Sequence, residues 1–283
     1  MHKVYVHDGG GAGDIVRNQI QRRKGWGYIE LFKKRFPTSE ILAITTAVSN
    51  QGAEFLKYNP YIDKIKELPW ANPNLPWKDL AKHTIGYKFI GKAVKELLPK
   101  AKPIVPPVYL SPEDKQVTQE IQKAGKYIFI HPFAGTRERI VYPIEKYPDL
   151  IDTIIDELGY NVAITGGTHL RLTNQGLPDT MLNEEFKYER KGLFNLVGKS
   201  NMRVGSHLAR NASFYMGTLS CYSPCRFIKE PAIIPAIIFV PAQYYLQAQV
   251  LNKDLQKLVR ISMGAKNISD YKKIAIRHIK EKQ

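Results

Sequence analysis

Cysteine is almost missing from this chain, with two in 283 residues. Cys221 and Cys225 stand four apart with no second pair, which is too few ligands for a structural zinc site. Such sparse use suits a reducing compartment better than a disulfide-stapled secreted fold. Long apolar runs are missing too. Nothing approaches the roughly 18 residues of a membrane span, and Met1 leads into a first strand without a signal-like segment. The expectation is a soluble cytoplasmic protein without a transmembrane segment, acting in the host cytoplasm if its source is viral. Acidic residues are the third shortage: 26 Asp and Glu face 42 Lys and Arg, a formal charge of +16.

The positive charge is spread over both halves. Residues 1–110 hold 18 Lys and Arg against 9 Asp and Glu, and residues 111–283 hold 24 against 17. Arg17, Arg22, Arg23, Lys24, Lys33, Lys34 and Arg35 fall close together. A field of this sign concentrates polyanions, whether nucleic acid, glycan phosphates or an anionic membrane. Lysine-rich helix faces that merely keep a protein soluble give the same count.

The cationic cluster follows a distinctive stretch, VYVHDGGGAGDIV at residues 4–16. It reads as a buried strand, a tight turn with Gly9, Gly10, Gly11 and Gly13, and the start of a helix. Glycines there let backbone N–H groups approach a ligand, and a helix start favours negative charge. A dinucleotide fingerprint does not fit, because Asp14 stands where its third glycine belongs and no acid ends the next strand, ILAITT.

Farther on, Ile41–Thr46 and Lys64–Leu68 read as strands, and Asn50–Tyr58 and Ile85–Leu98 as helices. Residues 69–78, PWANPNLPWK, read as a loop whose Trp70 and Trp77 either stack on bases or sugars or anchor the loop to the core. Residues 99–114 begin with four prolines in nine residues and read as a semi-rigid linker. Ser111 offers an N-cap to a helix over 112–124, with Asp114 as its capping partner. Strands at Tyr127–His131, Asn161–Thr165, Phe194–Val197, Phe214–Met216 and Ile233–Val240 then alternate with helices at Tyr147–Leu158 and Met202–Ala209. This alternation predicts a parallel sheet covered on both faces, with ligands beyond the C-terminal strand ends.

In this order the loops resemble the heptosyltransferase family. GAGDIV at Gly11–Val16 is similar to its N-terminal turn. IFIHPFAGTRERIVYPIEKYPDLI is similar to the start of its second domain, and VAITGGTHLR with FNLVGKSNMRVGSHLARNASFYMGTLS to the rest of the donor side. The resemblance implies an α/β protein of the GT-B fold, two Rossmann-like domains facing a cleft. It places an acceptor-binding domain at residues 1–105, a nucleotide-sugar-binding domain at 106–265, and a last helix at 266–283 that packs back on the first domain. The apolar stripe of that helix, Tyr271, Ile274, Ile276 and Ile279, suits such a contact, and its basic face also suits a membrane surface.

The family's chemistry is inverting sugar transfer from a nucleotide sugar. By resemblance Asp14 is the base that takes the acceptor's proton, with Asp8 as a competitor for the role and helix capping as the plainer use of Asp14. Donor contacts fall on Gly13, Thr136, Arg137, Arg139, Gly166, Gly167, Thr168, Gly217, Thr218 and Ser220, the two arginines gripping phosphates unless they only pair with Glu138 at the surface. Acceptor contacts fall on Arg17, Arg22, Arg23, Lys24, Trp70 and Trp77. His131 and His169 lie at strand ends, where structural roles outweigh nucleotide contact. The sequence departs from the family at Ile140, at Leu170, and in GTLSCYSP, which has neither the usual acid nor the usual histidine. No Asp-x-Asp pair occurs, so neither a metal nor another cofactor is expected beside the nucleotide sugar. For the polyanionic acceptor, charge and the Trp-containing loop favour hydroxymethylated bases of viral DNA, flipped into the cleft, over a lipopolysaccharide or surface glycan. A nucleic-acid-binding protein that kept the scaffold and lost catalysis is the alternative from another class.

Overall fold

The structure, a computed structural model, describes residues 1–8, 23–45, 51–68, 76–104, 106–133, 142–166, 171–172, 178–179, 186–218, 234–240, 259–263 and 268–282. The chain divides into two compact units. The first takes Met1–Tyr109 with Leu172–Leu177, and the second Leu110–Arg171 with Pro178–Gln283.

The first unit is a four-stranded parallel sheet of β1 (Lys3–Asp8), β2 (Glu40–Thr45), β3 (Lys64–Glu67) and β4 (Lys88–Phe89), in the order β3-β2-β1-β4. A 3₁₀ turn at Arg23–Tyr28 leads into α1 (Ile29–Arg35), and α2 (Gln51–Leu56), α3 (Pro76–His83) and α4 (Ile90–Leu97) follow. Ile41–Thr45 of β2 are all buried, as expected of an inner parallel strand covered on both faces. On β1 the burial alternates, with Val4 and Val6 inside and Tyr5 and His7 half-buried.

Two sequence expectations fail here. Residues 85–98 are not one helix: Lys88 and Phe89 pair with Val4 and Tyr5 of β1, where the Phe89 ring lies 5.7 Å from Tyr5, and only Ile90–Leu97 are helical. Pairing at the sheet edge overrides the local helical period. Trp77 does not belong to a loop either, because α3 begins at Pro76. Proline is well placed in a first helical turn, since its missing N–H has no partner there anyway.

The second unit holds α5 (Pro112–Lys123), β5 (Tyr127–His131), α6 (Tyr147–Leu158), β6 (Asn161–Gly166), β7 (Leu193–Val197), α7 (Met202–Asn211), β8 (Phe214–Thr218), β9 (Ala236–Val240), β10 (Val259–Met263) and α8 (Ile268–Lys280). The six strands are parallel in the order β10-β9-β8-β5-β6-β7. Strand side chains alternate between two cores. Ile128, Ile130, Val162, Ile164, Met216 and Phe239 pack on one face. Tyr127, Phe129, Ala163, Tyr215 and Ile238 pack on the other, against Val204 and Leu208 of α7 and Ile121 of α5. Each large side chain buried in this way contributes about 1.5–3 kcal/mol. The sequence reading has no strand at Val259–Met263, which sits at the sheet edge beside β9.

The last helix departs from expectation as well. Tyr271, Ala275 and Ile279 are buried in the first of these two cores, with Ile274 and Ile276 packed against it. The Tyr271 ring stands edge-on to Phe239 at 5.3 Å and to Tyr142 at 6.1 Å. The apolar stripe expected to reach the first domain is thus used within the second, where the aromatic side chains around Tyr142 provide the matching surface.

One polar junction ties this unit's entrance together. Ser111 and Asp114 form the expected reciprocal cap of α5, and Asn201 caps α7 by accepting from Arg203 N and Val204 N. The two caps share a carboxylate: Asn201 Nδ2 donates to Asp114 Oδ1 at 2.6 Å and Arg203 Nε to Asp114 Oδ2 at 2.6 Å. Burial pushes the Asp114 carboxyl upward, but bonds from Arg203, Asn201 and Ser111 outweigh it and hold the group below its ordinary range. Asp114→Ala removes the carboxylate paired with the Arg203 side chain, 7% exposed, and is expected to cost about 3–5 kcal/mol in urea unfolding at neutral pH. A depressed carboxyl stabilises the fold above its unfolded pKa of about 3.9 and loses that effect as pH falls through the folded value. The gap between wild type and variant should therefore shrink in acid below that point, and a gap that stays constant down to the acid transition contradicts the assignment.

Candidate functional site

In a parallel sheet the natural crevice lies where the strand order reverses, beyond the C-terminal strand ends. In the second unit the chain builds β5, β6 and β7 to one side and then returns to place β8 on the other side of β5. The reversal falls between β5 and β8, where Gly217 and His131 are register partners. There is no room for a side chain at that pairing. A Cβ on Gly217 would lie 2.1 Å from the His131 carbonyl oxygen.

Three strand ends are locked together at this point. Thr218 is fully buried, and its Oγ1 donates to the Phe133 carbonyl at 2.6 Å. Tyr215 Oη donates to the Thr218 carbonyl at 3.2 Å. His131 Nδ1 lies 3.0 Å from the Thr165 carbonyl; a carbonyl only accepts, so this nitrogen carries the proton. The Phe133 ring lies over Gly166, where an added Cβ would meet it at 2.0 Å. The Thr165 hydroxyl is buried and has no hydrogen-bond partner among the described residues. The result is a rim at which the ends of β5, β6 and β8 are held together.

Gly166, Gly217 and Thr218 of the anticipated donor set are brought together here, and Phe133 joins them. Gly13, Thr136, Arg137, Arg139, Gly167, Thr168 and Ser220 lie outside the described residues, as do Asp14, Arg17, Arg22 and Trp70. So do Ile140, His169, Leu170, Cys221 and Cys225. Arg23 and Lys24 fall in the 3₁₀ turn and Trp77 in α3. His131 ties β5 to the end of β6 through its Nδ1 bond to the Thr165 carbonyl.

In the first unit the order also reverses beside a central strand, between β1 and β4. Gly9, Gly10, Gly11, Gly13 and Asp14, which lie outside the described residues, follow the C-terminal end of β1 in the chain. Along that edge Asp8, Thr45 and Glu67 are register partners across β1, β2 and β3. Burial raises the Glu67 carboxyl above its ordinary range, only partly offset by a bond from the Ala53 backbone. Sequence reading passes over Glu67, Phe133 and Thr165. Glu67 ends a short strand of alternating charge, KIKE, and only its register beside Thr45 gives it interest. Among the described residues no three His, Cys, Asp or Glu side chains cluster as metal ligands.

Gly217→Ala tests the rim. Because the new methyl meets backbone rather than a movable side chain, the strand pair must part, at a cost of about 1–3 kcal/mol or more. Thermal unfolding should show that loss, while alanine at Gly125, where an added Cβ meets nothing within 4 Å but φ is positive, measures the backbone penalty alone. Equal losses at both positions would contradict a close approach at Gly217.

No family model matches the chain, and no curated protein matches it in sequence. Solved structures do match over nearly its whole length. ADP-heptose LPS heptosyltransferase II of Escherichia coli is 12% identical with a TM-score of 0.54, over 99% of this chain and 98% of that one. A family 9 glycosyl transferase from Veillonella parvula is 12% identical with a TM-score of 0.55, over 98% and 91%. The E. coli heptosyltransferase WaaC, solved with ADP-2-deoxy-2-fluoro heptose, is 10% identical with a TM-score of 0.52, over 99% and 100%. At identities this low the likeness is one of fold, and the chain has the fold of these heptosyltransferases: two Rossmann-like α/β domains of the GT-B kind.

Proposed function

We propose that this protein is a nucleotide-sugar-dependent glycosyltransferase, inverting and independent of metal, that acts on a hydroxyl of a polyanionic acceptor. The observation that carries the reading is the locked rim at Gly166, Gly217 and Thr218, at the strand-order reversal of a sheet whose fold is that of nucleotide-sugar enzymes. A rigid strand-end edge suits the binding of a diphosphate by the residues that follow it in the chain, because a leaving group whose charge grows is best met by groups already held in place. Arg137 and Arg139, which follow β5 in the chain, would meet that charge with guanidinium forks.

The transfer is a single displacement. The acceptor oxygen attacks the anomeric carbon, the bond from that carbon to the diphosphate oxygen breaks, and the acceptor's proton passes to a carboxylate. Asp14 is the proposed base: it follows β1 closely in the chain, and a carboxylate is suited to take the acceptor's proton. Attack opposite the leaving group inverts the anomeric centre.

Between the two acceptors, a phosphorylated surface glycan has the better support, because a structural neighbour is named as an LPS heptosyltransferase. Hydroxymethylated DNA keeps the argument from charge. The non-catalytic nucleic-acid binder keeps only the altered turn after Thr218 in its favour.

The test is to incubate the protein with a panel of nucleotide sugars and with each acceptor, and to read acceptor mass. The proposal predicts one sugar increment on a phosphorylated glycan, with release of the nucleoside diphosphate. An increment on DNA instead transfers the assignment to the second acceptor, and turnover of no nucleotide sugar overturns the enzyme. Asp14→Ala should lower kcat by about 10²–10⁴-fold and leave nucleoside diphosphate affinity unchanged, measured by steady-state kinetics and calorimetry. Full activity in that variant removes Asp14 from the mechanism.

A further inference from the structure

Away from the strand-end rim, a groove of about 1070 Å³ runs between α6 and α8 of the second unit. Its floor is apolar: the buried ring of Tyr142 and the half-buried Ile276 lie there. Its rim is cationic. Lys146, Lys273 and Lys280 are exposed along it, and none of the three pairs with a carboxylate among the described residues. Lys273 and Lys280, seven apart, lie on one face of α8. The acids on the rim are largely engaged. Asp149 is held by Lys272 at 2.7 Å, and Glu281 lies 4.0 Å from Arg277 and 3.7 Å from His278.

We propose that this groove is an attachment site for the surface of an anionic phospholipid bilayer. The ammonium groups of Lys146, Lys273 and Lys280 take headgroup phosphates, while their alkyl stems and the half-buried Ile276 between them face the acyl region just beneath. Charge complementarity selects the partner. A nucleic acid presents an unbroken line of phosphates and rewards an unbroken line of cations. Here Asp149, Glu157 and Glu281 interrupt the cations and the floor between them is apolar, which suits an amphiphile. No helix among the described residues is long and apolar enough to cross a membrane, so attachment is at the surface. The inference uses none of the residues assigned to sugar transfer and stands or falls separately from that reading.

The experiment is co-sedimentation of the full chain with vesicles of phosphatidylcholine alone and of phosphatidylcholine with roughly a third phosphatidylglycerol, at physiological salt. Binding is expected to the anionic vesicles only. The triple variant K146E/K273E/K280E should lose at least about tenfold in partition coefficient. The variant K115E/K123E/K126E, with the same charge change on exposed positions in and just after α5, should retain binding. All six side chains are exposed, and unchanged thermal unfolding confirms that each variant is folded. The proposal is overturned if neither vesicle binds, if both bind alike, or if the two triple variants lose binding equally. It is also overturned if the K146E/K273E/K280E change abolishes binding to a short DNA duplex while anionic vesicles stay unbound, which would assign the groove to nucleic acid.

Discussion

The close approach of β8 to β5 sets the geometry of the second unit's C-terminal strand edge. With only hydrogen at Gly217, the strand backbone meets the His131 carbonyl with no space for a methyl. Consequences run outward from that contact. Thr218 comes within 2.6 Å of the Phe133 carbonyl, the Phe133 ring settles on Gly166, and His131 joins β5 to the end of β6. A sheet in which β8 stood farther off would lose these ties together. They involve backbone and buried side chains, so the rim is fixed by the fold itself.

The remainder of the unit holds that edge in position from both sides. On one face α6 and α8 share an aromatic cluster in which Tyr142, Tyr147, Phe239 and Tyr271 meet at ring-centroid distances between 4.8 and 6.1 Å. On the other, α5 and α7 are fastened at their N-termini by the Asp114–Arg203 pair. Each of those helices leads into its following strand, so their N-termini lie toward the C-terminal strand ends. A buried ion pair adds little net stability when complete and is expensive to break. Its effect here is to fix which residues of α5 and α7 face each other, and so the angle of both helices over the sheet.

The parts of this fold that can be read from sequence are those that local chemistry decides. Tyr127–His131 and Tyr147–Leu158 stand where their patterns place them, and the Ser111 cap forms with Asp114 as its spacing implies. The parts that cannot be read depend on partners distant in the chain. Lys88–Phe89 is a strand only because β1 lies beside it. Asp114 and Arg203 are 89 residues apart, and nothing near either one announces the other. The stripe on α8 shows that an apolar face must be buried, but not against which unit. At the candidate site, glycines at strand ends draw attention to this edge from sequence alone, whereas Phe133 and Thr165 take their places there only from the way β5, β6 and β8 are brought together.

The proposed sugar transfer therefore requires that a nucleoside diphosphate bind at the β5–β8 reversal. Amide chemical shifts followed by NMR during titration with ADP and UDP test this most directly. The account predicts saturable shifts at Gly166, Gly217 and Thr218 with at least one of the two nucleotides. Binding that leaves those three amides unmoved, or no binding by either nucleotide, would contradict it.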